Sequence, residues 1–294
     1  MTNYLPKLLI TGANGQLGTT LKRHPLGYAF QLIPCSRAEL DISEDAAVVN
    51  ALRHHQPSIV INTAAYTAVD KAEAESSQAM LINAIGAQNL AQRCEEARIP
   101  LIHLSTDYVF DGKKDQAYQE QDPPNPLNVY GETKWLGEEA IRKHCERHII
   151  LRLSGVFSEF GNNFLKTMLR LADEKETMNI VDDQITCPTY TNDIAAALFT
   201  IASNPTTFGT YHYCSMPPVS WFDFAVAIIT KAQTIRPMKV TKMNAIDTTH
   251  YPTPAKRPSY SVLNCSKIKA DYDLNQSSWE DAVQHIVPTL IKEI

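Results

Sequence analysis

KLLITGANGQLG, residues 7–18, joins a short apolar run to a glycine-rich turn near the start of the chain. An apolar strand, such a turn and a following helix form the context in which a dinucleotide-binding fingerprint works. Glycines permit a tight turn and let the backbone approach a pyrophosphate, which free N–H groups at the helix start then hold. The spacing is G-x-x-G-x-x-G, with asparagine where the commonest fingerprint has its second glycine. The residues predicted to bind a dinucleotide here are Gly12, Asn14, Gly15, Gln16 and Leu17.

Short β-branched runs alternate with helical stretches through the first half of the chain. This alternation is typical of βαβ units in a parallel sheet, and helices on both faces account for near-continuous apolar strands. The predicted strands cover 7–11, 30–34, 58–62, 101–105 and 148–153. The predicted helices between them cover 16–24, 43–55, 76–98 and 128–146.

The alternation becomes less regular beyond residue 154, where strands are short and prolines cluster. The helices predicted in this half cover 162–174, 192–203, 220–233 and 278–292. We therefore predict an α/β fold, in which a Rossmann-like doubly wound parallel sheet is combined with a smaller, irregular α/β lobe. The lobe is expected over the carboxyl ends of the strands, where ligands of doubly wound proteins bind.

The end of the second predicted strand bears on the choice of nicotinamide cofactor. An acidic side chain there bonds the adenosine ribose hydroxyls, whereas an arginine accommodates a 2′-phosphate. This chain has Arg37 and no acid at the tip, which favours NADPH, with NADH as the alternative. Asp41 and Ile42 could flank the adenine or could merely cap the next helix. We expect residues 1–154 to form an NADP(H)-binding domain, joined by the helix near 190–203, and residues 155–294 to form most of a substrate lobe.

Tyr130 and Lys134 are four residues apart in a predicted helix, which places their side chains on one face, one turn apart. A free tyrosine has a pKa of about 10, and a nearby ammonium group lowers that pKa by favouring the phenolate. General acid–base catalysis by such a group contributes about 10²–10⁴-fold. The pair is predicted to transfer a proton, although this spacing alone is also common on exposed helices.

A strand-end hydroxyl adds a third motif. Ser105-Thr-Asp-Tyr108 follows an apolar strand and is expected at the carboxyl edge of the sheet, facing the cofactor. A hydroxyl there can hold the carbonyl oxygen that a tyrosine protonates. The glycine-rich turn, Thr106 and the Tyr130/Lys134 pair, in this order, resemble the extended short-chain dehydrogenase/reductase superfamily.

Longer blocks of sequence narrow the resemblance. They cover residues 62–73, 105–112, 126–134, 161–164 and 257–263. These blocks look like those of the dTDP-4-dehydrorhamnose reductase family, and the match spans essentially the whole chain. The resemblance implies hydride transfer from NADPH to C4 of dTDP-4-dehydro-β-L-rhamnose, which gives dTDP-L-rhamnose.

The resemblance also implies roles for individual residues. Tyr130 would donate the proton, Lys134 would tune it and hold the nicotinamide ribose, and Thr106 would bind the keto oxygen. The cofactor-lining residues that it implies are Ala64, Ala65 and Thr67. The substrate-binding residues that it implies are Thr106, Asp107, Tyr108, Asn163 and Arg257. An arginine suits a diphosphate because its planar fork can bond two oxygens at once, whereas an ordinary salt bridge is the alternative for Arg257.

Two departures from the family pattern leave the substrate open. Ser154-Gly-Val-Phe157 stands where many family members read S-W-V-Y, so an aromatic wall beside the hexose is expected to be missing. Residues 183–189 also depart from the usual pattern. Another nucleotide-linked 4-keto-6-deoxyhexose is therefore an alternative substrate. A non-catalytic subunit resembling the β subunit of methionine adenosyltransferase is a further alternative, although Tyr130, Lys134 and Thr106 favour an enzyme.

Composition excludes several other classes of protein. The 294 residues are 44% hydrophobic and 20% charged with a net charge of −5, which is ordinary for a globular protein. Because there is no run of lysines or arginines, nucleic acids and membranes are not expected partners. The apolar segment near the start is too short for a signal peptide, and six scattered cysteines suit reduced, buried thiols. We expect a cytoplasmic protein, a homodimer as the resemblance allows, and no metal site.

Overall fold

The structure, a computed structural model, describes residues 5–293. Strands and helices alternate through the first half of the chain. The strands are β1 (Lys7–Thr11), β2 (Gln31–Cys35), β3 (Ile59–Asn62), β4 (Leu101–Thr106), β5 (His148–Leu153), β6 (Val156–Phe157), β7 (Thr177–Val181), β8 (Ile185–Thr186), β9 (Thr189–Tyr190), β10 (Gly209–Tyr213), β11 (Val219–Ser220) and β12 (Lys242–Ile246). The helices are α1 (Gln16–Arg23), α2 (Asp45–His55), α3 (Val69–Ala72), α4 (Ser76–Met80), α5 (Gly86–Ala97), α6 (Val129–His144), α7 (Phe164–Glu174), α8 (Thr191–Ser203), α9 (Trp221–Gln233), α10 (Ser266–Tyr272) and α11 (Trp279–Glu293).

A six-stranded sheet lies at the centre, in the order β10-β5-β4-β3-β1-β2. All neighbouring strands in it are parallel. Leu8, Leu9 and Ile10 of β1 are completely buried, because helices cover both faces of the sheet. The chain runs outward from β1 to β2 on one side and to β3 on the other. The loops that leave β1 and β3 therefore diverge and open a crevice at the carboxyl edge, where ligands of this fold bind. The predicted fold class is confirmed.

The predicted strand boundaries agree with the structure to within about one residue, the precision with which such boundaries are defined. Several elements were not predicted individually, and two of them belong to or pack against the main sheet. Strand β10 pairs with β5 at one edge of the sheet, so part of the second half of the chain extends the first-half sheet. Helix α10 follows the long connection after β12 and packs beside β10 through the buried Ile268.

A second hydrophobic core lies outside the main sheet. It contains Leu165 and Leu169 of α7, Ile228 of α9 and Val283 of α11. Three small two-stranded sheets, β7·β12, β8·β11 and β6·β9, complete this smaller lobe. Helix α8, by contrast, packs in the core of the main sheet, together with β1 and α1.

The long helix predicted over 76–98 is divided in the structure. A π-helical segment, Leu81–Ile85, lies between α4 and α5. A π-helical turn widens the backbone and displaces the side chains that follow it.

All six cysteines are buried and free, in agreement with their predicted packing role. Within residues 5–293, none of the helices has the length and apolar character needed to cross a membrane.

Candidate active site

The structure gives a different reason for a glycine at each of the three positions in the turn between β1 and α1. Gly12 has a φ of +65°, and a Cβ there would lie 2.7 Å from the backbone nitrogen of Ala64. A Cβ at Gly18 would lie 2.5 Å from the Gly12 carbonyl oxygen. Gly15 is exposed with an ordinary φ of −72°, and its Cβ would meet only that carbonyl, at 3.3 Å. The protein's own packing requires Gly12 and Gly18, whereas the side of Gly15 faces open space that a ligand can fill.

Helix α1 begins directly behind this open space. It has neither a side-chain cap at its first residue nor an acidic residue in its first turn. Its N-terminal amide groups are therefore available to an anion such as a pyrophosphate. Leu17 is buried and offers only its backbone, and Asn14 is exposed beside the turn. Gly12, Asn14, Gly15, Gln16 and Leu17 thus lie together, as the sequence predicts.

The loop after β3 forms the second wall of this crevice. Ala64 lies against Gly12, and its N–H donates to the Asn62 side-chain oxygen at 3.1 Å. Ala65 is half-buried and Thr67 is exposed on the same loop. We call residues 63–67 the cofactor loop. Of its predicted residues, Ala64 lies directly against the glycine-rich turn, and Ala65 and Thr67 follow it along the loop.

Arg37, Asp41 and Ile42 lie beyond the carboxyl end of β2, next to β1, but their side chains face different surroundings. The Arg37 side chain is 66% exposed and its Nε donates to Asp41 at 3.0 Å. Asp41 also accepts from the backbone N–H of Ser43, which fixes the turn before α2. Ile42 is buried in the core. Of the three, Arg37 presents the exposed side chain that can extend toward a 2′-phosphate, and its role stays a prediction.

Tyr130 and Lys134 lie on α6, which begins at the side-chain cap of Asn128. Tyr130 packs edge-to-face against Tyr108, with ring centroids 5.9 Å apart. The Lys134 Nζ donates to the Leu104 carbonyl oxygen at 2.5 Å and lies 3.2 Å from the His103 Nε2. The lysine is thus buried against β4, one turn along the helix from the tyrosine.

The pKa of Tyr130 differs from the value expected from its spacing to Lys134. Burial raises the pKa of Tyr130 to about 12, although a hydrogen bond with Thr106 opposes the rise. Burial also lowers the pKa of Lys134 to about 8, against the attraction of Glu138. The expected lowering of the tyrosine pKa by the ammonium is absent: burial dominates the pKa of Tyr130, and the Lys134 Nζ is directed at the Leu104 carbonyl oxygen and His103. Tyr130 is therefore a protonated phenol near neutral pH, which is the form that a proton donor requires.

Thr106 and Asp107 form a buried unit at the end of β4. The Thr106 hydroxyl donates to Asp107 at 3.0 Å and accepts from the Tyr108 N–H at 3.1 Å. The Asp107 carboxylate also accepts from Ser154 at 2.8 Å. Burial raises the pKa of Asp107, and hydrogen bonds from Ser261, Ser154 and Thr106 oppose that rise. Asp107 therefore orients Thr106 and is only 3% exposed, so it has little surface to offer a ligand.

Arg257 lies on the other side of Tyr108. Its guanidinium bonds Asp70 through two N–H groups, at 3.1 and 2.7 Å. Burial lowers the pKa of Arg257, but hydrogen bonds to Asp70 and Tyr108 outweigh that and leave it above its ordinary value.

Arg257 also lines a cavity of about 590 Å³ in the smaller lobe. Residues on the wall of this lobe cavity include Phe164, Gln184, Trp221, Tyr251 and Arg257. Tyr130, Tyr108, Arg257 and the lobe cavity thus follow one another in space.

Asn163 is placed differently from its predicted role. Its Oδ1 caps α7 by accepting from the Lys166 N–H at 3.1 Å. Its Nδ2 donates to the Gln16 side chain at 3.0 Å and to the Ser158 carbonyl at 2.7 Å. The amide therefore joins the smaller lobe to the glycine-rich turn, and its hydrogen-bonding groups are already engaged.

Comparison with known proteins agrees with this geometry. A family model described as the RmlD substrate binding domain matches residues 6–291. The dTDP-4-dehydrorhamnose reductase of Aggregatibacter actinomycetemcomitans is 42% identical over 289 residues, covering 96% of this chain and 98% of that protein. The enzyme of the same name from Escherichia coli K12 is 40% identical, with 96% and 97% covered. The chain belongs to the dTDP-4-dehydrorhamnose reductase family.

Solved structures of this reductase family share the whole architecture. The Bacillus anthracis dTDP-4-dehydrorhamnose reductase in complex with NADP superposes with a TM-score of 0.91 at 35% identity, covering 97% of this chain and 99% of that one. The Clostridium acetobutylicum relative gives 0.91 at 36% identity, with 97% and 99% covered. A Thermus thermophilus UDP-glucose 4-epimerase gives 0.82 at 16% identity, with 98% and 100% covered, which is a likeness of fold alone.

Gly155, the glycine expected to depart from the family pattern, is tightly packed. Gly155 has a φ of +52°, and a Cβ there would lie 2.9 Å from the Pro188 Cα. A tryptophan therefore does not fit on this backbone without a change in the local chain path. The adjacent Ser154 bonds Asp107 and so connects this segment to Thr106.

Three buried polar residues near the site were missed from the sequence. Asn83, in the π-helical segment, bonds the backbone of Tyr66 in the cofactor loop and the Thr133 hydroxyl of α6. His103 contacts Lys134, and Glu138 lies one turn beyond Lys134 on α6. A polar residue within an apolar strand or on the buried face of a helix was the available signal.

Proposed function

We propose that this chain uses NADPH to reduce the 4-keto group of dTDP-4-dehydro-β-L-rhamnose, giving dTDP-L-rhamnose. The observation that carries the proposal is a half-buried Tyr130, packed against Tyr108 next to the buried Thr106 at the carboxyl edge of the sheet, whose phenol is protonated near neutral pH. Near-full-length identity of about 40% to reductases of that name supports the same reaction. The open space at Gly15 and the uncapped start of α1 fit the pyrophosphate of a dinucleotide.

The reaction adds a hydride and a proton across the carbonyl group. When bound, the nicotinamide supplies the hydride to carbon 4 and becomes oxidised. Tyr130 donates its phenolic proton to the 4-oxygen, which becomes the new hydroxyl. The Thr106 hydroxyl directs its proton at Asp107 in this structure, so it must turn to donate to the keto oxygen. Lys134 lies on the same face of α6 and is proposed to hold the nicotinamide ribose.

Substrate binding is proposed to extend from Tyr130 across Tyr108 to Arg257 and into the lobe cavity. The hexose would lie at Tyr130, the diphosphate at Arg257 and the nucleoside in the cavity, whose wall includes Trp221. A planar guanidinium suits the diphosphate, although Asp70 already bonds two of its N–H groups. The role proposed for Asp107 is to orient Thr106, and that for Asn163 is to fix the lobe against Gln16.

The remaining expectations are proposals of the same kind. Residues 1–154, with α8, are proposed as the NADP(H)-binding domain, and most of 155–294 as the substrate lobe. Six buried free thiols support a reducing compartment, which favours the cytoplasm. A homodimer is proposed from family resemblance alone.

A coupled assay tests the proposed reaction. The ketosugar is generated in place by the upstream dehydratase and epimerase, NADPH consumption is followed by absorbance, and the product is identified by NMR. We expect one dTDP-L-rhamnose for each NADPH oxidised. Tight NADPH binding with no turnover of any nucleotide-linked ketosugar would contradict the proposal and favour a non-catalytic subunit.

Gly155 favours one second candidate, a reductase of another nucleotide-linked 4-keto-6-deoxyhexose. The backbone at Gly155 leaves no room for the aromatic side chain that the family resemblance leads us to expect there. Comparing kcat/KM for epimeric dTDP-4-keto-6-deoxyhexoses under identical conditions decides between the two substrates. The first candidate predicts the highest value for the L-rhamnose precursor.

A further inference from the structure

A chain of buried polar side chains runs beneath the carboxyl edge of the sheet. It connects Thr11 on β1, Asn62 on β3, His103 on β4 and Lys134 on α6. None of these four side chains belongs to a residue more than 2% exposed. Buried polar groups must satisfy one another in the absence of water, so the direction of each hydrogen bond is constrained by the next.

The orientation of the Asn62 amide is set by the cofactor loop. The Ala64 N–H is a donor and lies 3.1 Å from the Asn62 Oδ1, while the Thr11 hydroxyl lies 2.6 Å from the same oxygen. With Oδ1 on that side, the Asn62 Nδ2 donates to the His103 Nδ1 at 2.9 Å. The Nδ1 must therefore be unprotonated, and a neutral His103 carries its proton on Nε2.

The His103 Nε2–H faces the Lys134 Nζ at 3.2 Å. An ammonium group has three donors and no acceptor, whereas an uncharged amine has a lone pair that can accept this proton. The Lys134 Nζ can still donate to the Leu104 carbonyl in either form. The hydrogen bonds observed among these four side chains are thus the complete set that an uncharged Lys134 allows.

The ammonium form needs a different set of bonds. A charged Lys134 would donate to His103 Nε2, which moves the imidazole proton to Nδ1 and requires the Asn62 oxygen to turn toward it. The Ala64 N–H would then lose its bond at 3.1 Å and keep only the longer one to Thr11, at 3.4 Å. Charging the lysine therefore loosens the cofactor loop at Ala64.

We propose that His103 and Asn62 are positioning residues that couple the charge of Lys134 to the anchoring of the cofactor loop. When Lys134 is a neutral amine, His103 is the Nε2–H tautomer and the Ala64 N–H is bonded to Asn62. When Lys134 is an ammonium, His103 is the Nδ1–H tautomer and the Ala64 N–H loses that bond. The consequence for catalysis rests on the role proposed for Lys134. The coupling itself does not.

The other titratable groups that face Lys134 and His103 are bonded to partners of their own. Glu138 faces Lys134 from α6, but its carboxylate is bound by Arg152 and Arg142. His148 on β5 faces His103 and bonds the Cys145 carbonyl oxygen. Burial, with Lys134 and His148 adding to it, holds the pKa of His103 well below its ordinary range, so the ring stays neutral.

NMR of the whole protein labelled with ¹⁵N tests the coupling without any substrate. The two ring nitrogens of His103, assigned through its own backbone, report the tautomer, and the Ala64 amide reports the loop. We expect both signals to change in one step with a common midpoint near the Lys134 pKa of about 8, with Nε2–H as the high-pH form. A His103 that stays Nδ1–H at high pH, becomes an imidazolium, or titrates separately from Ala64 would overturn the proposal.

Variants show whether the lysine is the group that titrates. Lys134→Met should abolish the common step, while Lys143→Met, at an exposed position on the same helix, should leave the midpoint unchanged. His103→Gln should abolish the Ala64 step while Lys134 is retained. If that variant does not fold, the wild-type titration still decides the question. Because none of these readouts needs turnover, a failure here is distinct from a failure of the proposed reaction.

Discussion

The buried ion pair beneath the catalytic face of α6 yields a quantitative prediction for Glu138→Gln. Glu138 is completely buried, and its two oxygens accept from Arg152 at 2.9 and 2.7 Å. The same carboxylate accepts from the Ser105 hydroxyl, next to Thr106, and from Arg142. The change keeps the side-chain volume but removes the charge and directs an amide N–H₂ group toward guanidinium donors.

The expected loss of stability follows from leaving Arg152 buried and unpaired. Arg152 is 1% exposed, and its remaining polar contacts, to the Glu120 carbonyl and His212, are long at 3.4 and 3.3 Å. Removing one partner of a buried pair costs about 3–5 kcal/mol, so we expect a loss of about 3 kcal/mol because the glutamine retains part of the bonding. With a urea m-value of about 3 kcal/mol/M, the unfolding midpoint should fall by about 1 M.

The pH dependence of stability gives a second readout. Burial alone would raise the pKa of Glu138, but Arg152, Arg142 and Ser105 outweigh it and hold the pKa below its ordinary value. A lowered pKa in the folded state stabilises the protein above the unfolded value of about 4.3. That contribution is lost as the pH falls through the folded pKa. Wild type should therefore lose stability in this acidic range more steeply than Glu138→Gln.

Glu139→Gln is the matched control. Glu139 is the next residue, but it is exposed and pairs with Arg142 at the surface. Its loss should change stability by less than about 0.5 kcal/mol. Urea denaturation of both variants at neutral pH provides the comparison. If Glu138→Gln lost under about 1 kcal/mol, or had the same acid dependence as wild type, the reasoning on the buried pair would be refuted.

Three further variants test the rest of the site. Gly155→Ala should destabilise the protein by about 1–3 kcal/mol in urea denaturation, because of its φ of +52° and the close approach of Pro188; an unchanged midpoint would contradict this. Arg257→Lys should raise KM for the nucleotide sugar about tenfold with a smaller change in kcat, because a lysine cannot present two parallel donors. An unchanged KM in steady-state kinetics would exclude Arg257 from diphosphate binding. Arg37→Ala should weaken NADPH binding roughly tenfold and leave NADH binding unchanged in calorimetry; equal effects on both cofactors would count against a contact with the 2′-phosphate.

The sequence predicted those parts of the fold that depend on local chemistry. The apolar run before Gly12 and the turn itself specify β1 and α1 at nearly their observed boundaries. Strand β10 was missed because its place in the sheet depends on pairing with β5, more than fifty residues earlier in the chain. Two of its residues, Thr210 and His212, are polar, so it lacks the continuous apolar run that marks the central strands.

The structure brings many of the predicted site residues together in the predicted order, but their roles stay predictions, and their electrostatics were not predicted. Spacing placed Tyr130 and Lys134 on one face of a helix, whereas the pKa of each depends on burial that only the fold creates. Asn163 was assigned to substrate from a motif. A motif does not reveal that the partners of this amide are Gln16 and Ser158 from elsewhere in the chain.

Replacing the proton donor tests the central claim most directly. Tyr130→Phe removes one oxygen and keeps the ring that packs against Tyr108. We expect kcat for reduction of dTDP-4-dehydro-β-L-rhamnose to fall about 10²–10⁴-fold, with the Kd for NADPH within about twofold of wild type. A variant that binds NADPH normally and keeps the wild-type kcat would show that the phenol does not deliver the proton.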